Sequence, residues 1–324
     1  MKVNIIGWYD KNNCGDESFK YVFNDIFKGN EIFYTTQEII EDCDYYILGG
    51  GDVVKKFYLE SIPNDKRFMC IGVGLGYESE SLLLKEKNVS IVYTRNKEDV
   101  EILKSIGIES KYTPDIVFNL QKPNTINEKL ESDLPKLGIL LTDHANPSVV
   151  NTNQKELSYN EFFKWELAES LDELSKYYKI YFISLSDYYY AYDEKMSLDT
   201  QTRMKNGYKS ILLKETKSPL RTMDIIQQMD IVITMKFHGI IFSTICNTPF
   251  INIGLSRKTN KFCEENGLSE LSFSPNTFNK TDLIKKIKYI ENNSQDIKKK
   301  LSTLDKDNKE ELKNNTNEWI KILK

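Results

Sequence analysis

One segment, residues 230–254 with the sequence DIVITMKFHGIIFSTICNTPFINIG, constrains the fold of this chain more than any other. Its first five residues, 230–234, form a short β-branched run that is typical of a buried parallel strand. Residues 235–239 then predict a turn, residues 240–246 a buried helix, and residues 250–254 the next strand. Because ligands of open α/β sheets bind beyond the carboxyl ends of the strands, we expect a binding site at this turn.

The same alternation of short apolar runs and helical segments occurs in two successive series, which predicts an α/β fold. The predicted strands are residues 2–6, 44–48, 67–72 and 90–94 in the first half, and 137–142, 179–185, 208–213, 230–234 and 250–254 in the second. Residues 121–136 are polar, contain two prolines and lack an apolar stripe, so they predict a linker. We therefore predict domains at 1–122 and 136–278, followed by a helical segment at 279–324.

Composition excludes several classes of protein. The chain has 324 residues, which is enough for two domains, and a net charge of −4, which argues against a nucleic-acid binder. The five cysteines are scattered, without metal-ligand spacing, and predict reduced thiols in a cytoplasmic protein. No apolar run is long enough to span a bilayer, and we expect no signal peptide because the first residues enter a strand. A protein of this kind can still act at the inner face of a membrane.

Three strands of the first half are followed or ended by residues suited to ligand binding. The loop after the first strand contains Asn13, Gly15, Asp16 and Glu17, which could present N–H groups and carboxylates to a ligand or could only build and cap the turn. Gly49, Gly50 and Gly51 end a strand, where they could admit a phosphate or sugar or simply form a tight turn.

Arg95 follows a strand, where its planar fork could bind carboxylate or phosphate or pair with a neighbouring Asp or Glu. Asp115 lies in a proline-led turn and is a candidate to orient Arg95 or to cap a helix. The GxGxG run at residues 72–76 lacks the spacing and the acidic residue of a dinucleotide fingerprint, so no nicotinamide cofactor is expected.

The second half places both histidines of the chain after strands. His238 shares its turn with Lys236 and is either a catalytic acid or a packed, helix-capping histidine. His144 reads more simply as a loop residue without chemistry. The tyrosines of residues 188–192 follow a strand and could stack on a sugar or pack against the next helix. A basic loop containing Lys258 follows the last predicted strand.

Taken in order, these motifs resemble those of the polysaccharide pyruvyl transferases over residues 7–268. The motifs are GWYDKNNCGDES, YYILGGG, CIGVGLG, YTRN followed by a Pro-Asp turn, and ITMKFHGIIFSTICNTPFINIGLSRK. The resemblance implies a GT-B-like fold in which two Rossmann-like domains face a cleft, with a C-terminal helical tail. It also implies transfer of the enolpyruvyl unit of phosphoenolpyruvate to sugar hydroxyls of a cell-surface polysaccharide precursor, forming a pyruvate ketal.

The resemblance assigns roles to individual residues. His238 matches the proton donor to the enol, Arg95 and Lys236 match donor-binding arginines, and Lys258, a third cation that could bind the donor, matches a lysine after the last strand. Lys236 stands where the family has an arginine, which keeps the charge but loses the bidentate fork. The remaining matches are Asn13, Gly15, Asp16 and Glu17 in the N-terminal loop, and Gly49, Gly50 and Gly51 in the glycine turn.

The residue types suit this chemistry. Phosphoenolpyruvate carries a carboxylate and a phosphate and needs several cations, and histidine is the natural acid near neutral pH. Asp16 and Glu17 are candidates to accept the hydroxyl proton. We expect no cofactor or metal besides the phosphoenolpyruvate donor, a glycan or lipid-linked sugar as acceptor, and no nucleic acid. Peripheral membrane contact and a homo-oligomer are compatible with the sequence.

Two alternatives remain open from the residues. One is a GT-B glycosyltransferase that uses a nucleotide sugar, with Glu264 or Glu265 recognising the nucleoside. The other is a non-enzymatic relative that binds glycans or partners, which the departures at Lys236 and Phe237 would allow.

Overall fold

The computed structural model describes residues 1–126, 128–142, 154–188, 191–215, 217–254, 257–273 and 278–323. His144, Tyr189 and Tyr190 lie outside these ranges. The chain divides into two compact units. The first unit comprises Met1–Lys11, Gly15–Leu120 and Lys306–Lys324, and the second comprises Asn12–Cys14 and Gln121–Asp305. The domain boundaries given above stay predictions.

The first unit contains a parallel six-stranded sheet in the order β2-β1-β3-β4-β5-β6. Its strands are β1 (Lys2–Ile6), β2 (Glu31–Thr35), β3 (Tyr45–Val54), β4 (Phe68–Leu75), β5 (Val89–Thr94) and β6 (Ser110–Tyr112). Its helices are α1 (Cys14–Ile26), α2 (Lys56–Leu59) and α3 (Lys97–Ser105), with 3₁₀ helices at Glu78–Glu86 and Ile116–Asn119. The central strands are almost wholly buried, as their apolar runs predict.

Two sequence-based expectations about this sheet need correction. Strand β2 was not predicted, because as an edge strand it is only partly buried and lacks a continuous apolar run. The three glycines do not end β3 in a turn, since the strand continues to Val54. Gly50 and Gly51 adopt positive φ angles of 74° and 83°, and the register with β4 shifts just after them, so the glycines form an irregularity inside a strand.

Packing explains why two of these positions are glycine. A Cβ atom on Gly49 would lie 2.7 Å from the ring of Phe23, and one on Gly50 would lie 2.4 Å from the ring of Phe19. Both rings belong to α1, so the absence of side chains lets this helix lie directly on β3.

The second unit contains a parallel six-stranded sheet in the order β11-β8-β7-β12-β13-β14. Its strands are β7 (Lys136–Leu140), β8 (Lys179–Ser184), β11 (Ile211–Lys214), β12 (Ile231–Thr234), β13 (Phe250–Ile253) and β14 (Ser272–Phe273), besides a hairpin of β9 (Asp187–Tyr188) and β10 (Ala191–Tyr192). Its helices are α4 (Gln154–Leu174), α5 (Asp193–Arg203), α6 (Pro219–Ile226), α7 (Phe237–Cys246), α8 (Arg257–Glu265) and α9 (Lys280–Asn292), with 3₁₀ helices at Gly207–Lys209 and Ser269–Leu271.

The C-terminal segment forms two helices, α9 and α10 (Ser294–Ile322). Helix α10 begins in the second unit and ends in the first. Trp319, near its end, is fully buried and packs edge-on against Tyr93 of β5, with 5.5 Å between ring centroids. Within the described residues, every helix is too short or too polar to cross a bilayer.

Candidate functional site

The strand order of the second unit identifies its ligand-binding edge. From β7 the chain builds β8 and β11 on one side and then crosses to β12 on the other side. The crevice beyond the carboxyl ends of β7 and β12 is therefore the topological switch point, where ligands of such sheets bind. Lys236 and His238 follow β12 directly, so the predicted turn lies at this point.

A tight turn fixes the residues after β12. The Thr234 hydroxyl accepts a hydrogen bond from the Lys236 amide at 3.0 Å and donates one to the Lys236 carbonyl at 3.1 Å. Lys236 is the N-cap of α7, and a Cβ atom on Gly239 would lie 2.2 Å from the Thr234 hydroxyl oxygen. Glycine thus lets α7 start close to β12. The first turn of a helix in this position offers backbone N–H groups and a partial positive charge to an anion.

Lys236 is paired with a buried carboxylate that the sequence analysis did not single out. Its Nζ atom donates to both carboxylate oxygens of Asp193, at 2.7 and 2.9 Å. Asp193 is fully buried and also accepts the Leu185 and Ser186 amides and the Thr142 hydroxyl. Burial raises the pKa of the Asp193 carboxyl, while the Lys236 charge and these hydrogen bonds oppose that rise.

Aromatic rings lie between His238 and Lys258, the other two residues of this unit that the sequence predicts at the site. The Phe237 ring lies 5.7 Å from the His238 ring and 5.7 Å from the Phe262 ring. The Lys258 ammonium lies 5.8 Å from the centroid of the Phe237 ring, a cation–π distance. Lys236, His238 and Lys258 are therefore grouped around the start of α7. The His238 ring also packs against Phe242, at 6.2 Å between centroids.

Glu17 has a structural role in the N-terminal loop. One carboxylate oxygen of Glu17 accepts the Asp10 amide at 2.6 Å, and the other lies 3.2 Å from the Lys20 ammonium. Glu17 thus holds a loop in which Asp10 and Asn12 both have positive φ angles. This is the turn-building alternative that the sequence left open.

Asn13 and Gly15 lie on either side of a division in the chain. The segment Asn12–Cys14 belongs with the second unit, where Asn13 forms a β-bridge with Ser186 and the Cys14 amide donates to the Leu185 carbonyl at 2.8 Å. Gly15, the second residue of α1, belongs to the first unit.

The switch point of the first sheet lies between β1 and β3. The N-terminal loop follows β1, and the glycines lie in β3 just past the residue that pairs with the end of β1. A Cβ atom on Gly51 would lie 3.5 Å from a carboxylate oxygen of Asp16. The buried Tyr9 hydroxyl donates to the Gly49 carbonyl at 2.5 Å. Burial raises the pKa of Tyr9, and Tyr34 and Asp16 add to that rise.

Arg95 occupies a buried ion-pair cluster. Its NH1 atom donates to Asp115 at 2.7 Å and its NH2 atom to Asp52 at 2.6 Å, and its side chain is only 3% exposed. The other oxygen of Asp115 accepts the Val117 amide, so Asp115 both orients Arg95 and caps a 3₁₀ helix. Burial alone would lower the pKa of Arg95, but the charges of Asp52 and Asp115 outweigh it and raise that pKa.

Two residues of these clusters, Asp52 and Asp193, carried no clear sequence signal. Asp52 directly follows the three glycines, and Asp193 ends the tyrosine-rich run, but only the fold shows that each receives a buried cation. Among the described residues, no group of three or more His, Cys, Asp or Glu side chains is arranged to hold a metal ion.

The fold is shared with several solved structures. S. aureus MnaA in complex with UDP matches 93% of this chain and 90% of its own, with 11% identity and a TM-score of 0.63. UDP-GlcNAc 2-epimerase from Neisseria meningitidis, bound to UDP-GlcNAc, matches 93% of this chain and 94% of its own, with 11% identity and a TM-score of 0.61. The Methanocaldococcus jannaschii UDP-GlcNAc 2-epimerase matches 89% and 92%, with 12% identity and a TM-score of 0.57. At these identities the likeness concerns the fold alone, and it confirms the α/β, GT-B-like class.

Sequence comparison identifies the family. Curated protein sequences give no match. The family model described as polysaccharide pyruvyl transferase matches residues 4–257, which is most of the chain and includes the candidate residues from Asn13 to His238 but not Lys258. The chain belongs to the polysaccharide pyruvyl transferase family, which is a family of transferases.

Proposed function

We propose that this protein transfers the pyruvyl group of phosphoenolpyruvate to sugar hydroxyls of a polysaccharide precursor, with His238 as the general acid. The observation that carries the proposal is the location of Lys236 and His238 in one turn at the switch point of the second sheet. This is where the fold favours ligand binding, and it is occupied by a cation and an acid–base group.

The charges near this turn suit a donor with a carboxylate and a phosphate. Lys236 and Lys258 supply two ammonium groups, and the first turn of α7 supplies N–H donors. The Phe237 ring holds Lys258 on one side while Asp193 holds Lys236. The donor would thus meet cations whose positions are already fixed, which lowers the entropy cost of binding it.

In the proposed reaction, His238 gives a proton to the methylene carbon of phosphoenolpyruvate, which becomes the methyl group. The first sugar hydroxyl then attacks C2 and loses its proton. The bond from C2 to the phosphate oxygen breaks, inorganic phosphate leaves, and a second hydroxyl attacks C2 and loses its proton to complete the ketal. General acid catalysis of this type contributes about 10²–10⁴-fold to the rate.

The roles proposed for the first unit differ in how well the local geometry supports them. Glu17 is held by Lys20 and the Asp10 amide, so it would have to accept the hydroxyl proton alongside these contacts. Asp16 is the other candidate for this role. Arg95 donates to two carboxylates, so a contact with the donor would have to be made alongside these two ion pairs.

The experiment is a phosphate-release assay with purified protein, phosphoenolpyruvate and a panel of p-nitrophenyl and lipid-linked glycosides. We expect release only when an acceptor is present, and loss of about 10²–10⁴-fold in kcat for His238→Ala. His144→Ala, which removes the only other histidine, is the matched control and should keep wild-type kcat. Equal activity of both variants would remove His238 from the mechanism.

A second candidate is a glycosyltransferase that uses a nucleotide sugar, and the UDP and UDP-GlcNAc bound to two fold relatives favour it. The carboxylates expected to read the nucleoside, Glu264 and Glu265, are exposed at the last turn of α8, about 12 Å along the helix from its start after β13. Their location gives this alternative little support. Thermal-shift measurements decide between the two: stabilisation by UDP-GlcNAc and none by phosphoenolpyruvate would reverse the order.

A further inference from the structure

A buried chain of charges in the first unit ends at a carboxylate that reaches the surface. Asp115 is 2% exposed and fixes Arg95, which is 3% exposed and in turn donates to Asp52, whose side chain is 30% exposed. Two buried charges are costly to desolvate, so such a pair is stable only when its geometry is well satisfied. Here that geometry orients the third member, Asp52.

Asp52 also lies where the first sheet would bind a ligand. It belongs to the last part of β3, next to the switch point between β1 and β3. The preceding Gly51 has no side chain, and Gly74 on the neighbouring β4 has none either. A Cβ atom on Gly74 would lie 2.4 Å from a carboxylate oxygen of Asp52, so glycine is required there for Asp52 to reach Arg95.

We propose that Asp52 is an acceptor-binding residue, whose carboxylate accepts hydrogen bonds from the hydroxyls of the sugar that receives the pyruvyl group. This inference rests on the proposed function and names one residue of the first unit that would contact the acceptor sugar. A carboxylate held in one orientation by a buried guanidinium can accept from two hydroxyls without first losing side-chain freedom.

A second carboxylate lies near the end of β3 that carries Asp52. Asp16 approaches within 3.5 Å of the Cβ position of Gly51, the residue next to Asp52. The charges of Asp16 and Asp52 both add to the rise that burial causes in the pKa of Tyr58. Negative charge from two carboxylates at this end of β3 suits a neutral, hydroxyl-bearing ligand better than an anion.

The test combines direct acceptor binding with transfer kinetics. Saturation-transfer NMR would measure binding of p-nitrophenyl glycosides to the full-length wild type and to Asp52→Asn, in the absence of phosphoenolpyruvate. Calorimetry would measure phosphoenolpyruvate binding to the same proteins. Asp44→Asn is the matched control, because Asp44 precedes the same strand at its opposite end and accepts a hydrogen bond from the Lys2 amide at 2.7 Å.

We expect Asp52→Asn to weaken glycoside binding and to lower kcat/KM for the acceptor by about 10- to 100-fold, since a hydrogen bond to a charged group is lost. Its affinity for phosphoenolpyruvate should fall by less than its affinity for the glycosides, because the Asn oxygen can still accept from Arg95, and Asp44→Asn should match wild type in both measurements. If circular dichroism shows that Asp52→Asn is poorly folded, Asp52→Glu serves as the second variant. It keeps the charge and should recover part of the acceptor kcat/KM.

The possible results separate this inference from the proposed function. Wild type that binds glycosides but no phosphoenolpyruvate would contradict the proposed donor and leave the role of Asp52 intact. Unchanged glycoside binding and unchanged acceptor kcat/KM in Asp52→Asn would overturn the inference while the transferase assignment stood. Wild type that binds none of the glycosides would also overturn it.

Discussion

The buried pair of Lys236 and Asp193 gives a prediction in which stability and ligand affinity change in opposite directions. Replacing Asp193 with Asn keeps the size of the side chain and one oxygen that can accept the Leu185 and Ser186 amides. It removes the negative charge that faces Lys236, whose side chain is only 13% exposed. The variant therefore leaves an ammonium group buried without its counter-charge.

The loss of stability follows from that geometry. Removing one partner of a buried ion pair costs about 3–5 kcal/mol, and this is an upper limit because the Asn oxygen can still accept from Lys236. Loss of one charged hydrogen bond costs about 1.5–3 kcal/mol, so we expect about 2–3 kcal/mol for Asp193→Asn. With about 2–4 °C per kcal/mol for a chain of more than 150 residues, the melting temperature should fall by about 4–12 °C.

Anion affinity should rise in the same variant. An anion bound to Lys236 on the side away from Asp193 would lie about 6 Å from that carboxylate, where two unit charges repel by roughly 0.7–2.8 kcal/mol for dielectric constants of about 80 to 20. Without this repulsion, inorganic phosphate and phosphoenolpyruvate should bind about 3- to 100-fold more tightly. Phosphate should also raise the melting temperature of the variant by more than it raises that of wild type.

The assay is differential scanning fluorimetry with and without phosphate, together with calorimetric titration at low and high salt. Asp230→Asn is the matched control, because Asp230 accepts the Lys136 amide at 2.7 Å just before β12, at the end of the strand opposite to Lys236. Equal or weaker phosphate binding by a folded Asp193→Asn protein, relative to wild type, would refute the reasoning from charge.

Three further predictions concern the rest of the chain. Only Cys43 among the five cysteines is partly exposed, so the native protein should react with one equivalent of a thiol reagent and the unfolded protein with five. Burial alone would raise the pKa of Asp199, but Arg203 and Lys164 outweigh it and lower that pKa, so this carboxylate stabilises the fold above its unfolded pKa of about 3.9. Asp199→Asn should cost about 0.2–1 kcal/mol at pH 7 in urea unfolding, and the difference should close as the pH falls through the lowered pKa. Trp319→Ala should cost about 3–5 kcal/mol, because the ring is fully buried; a loss below 1 kcal/mol would show that the end of α10 does not stabilise the first unit.

Most of the fold could be read from the sequence because parallel strands buried on both faces are short, continuous apolar runs. Strands β1, β5 and β12 appeared within one residue of their predicted bounds. Strand β2 was not predicted because an edge strand needs no such apolar run. Residues 208–213 were predicted as a strand, but Gly207–Lys209 form a 3₁₀ helix and β11 starts at Ile211. Local propensity does not resolve a change of that size at an element boundary.

Only part of the candidate site could be predicted from the sequence, and the reason is different. A residue that follows a strand is expected at the ligand-binding edge from sequence order alone, and this rule located Lys236, His238 and Arg95. The partner of a buried charge depends on the fold, since 43 residues separate both Asp193 from Lys236 and Asp52 from Arg95. No local sequence pattern predicts a pairing between residues so far apart in the chain.

Lys236 stands where the family resemblance implies an arginine, and its pairing with Asp193 shows how a lysine can serve at this position. An arginine holds an anion through a rigid fork, whereas an ammonium is a point charge that rotates freely. Here two of the three N–H donors of Lys236 are directed to the two oxygens of one buried carboxylate, at 2.7 and 2.9 Å. The direction of the third is thereby fixed. Asp193 thus gives the lysine part of the orientation that an arginine has intrinsically, while it lowers the net positive charge at that point. In the proposed function, Lys236 then contributes one oriented hydrogen bond to the donor, and the remaining charge of phosphoenolpyruvate must be met by Lys258 and the first turn of α7.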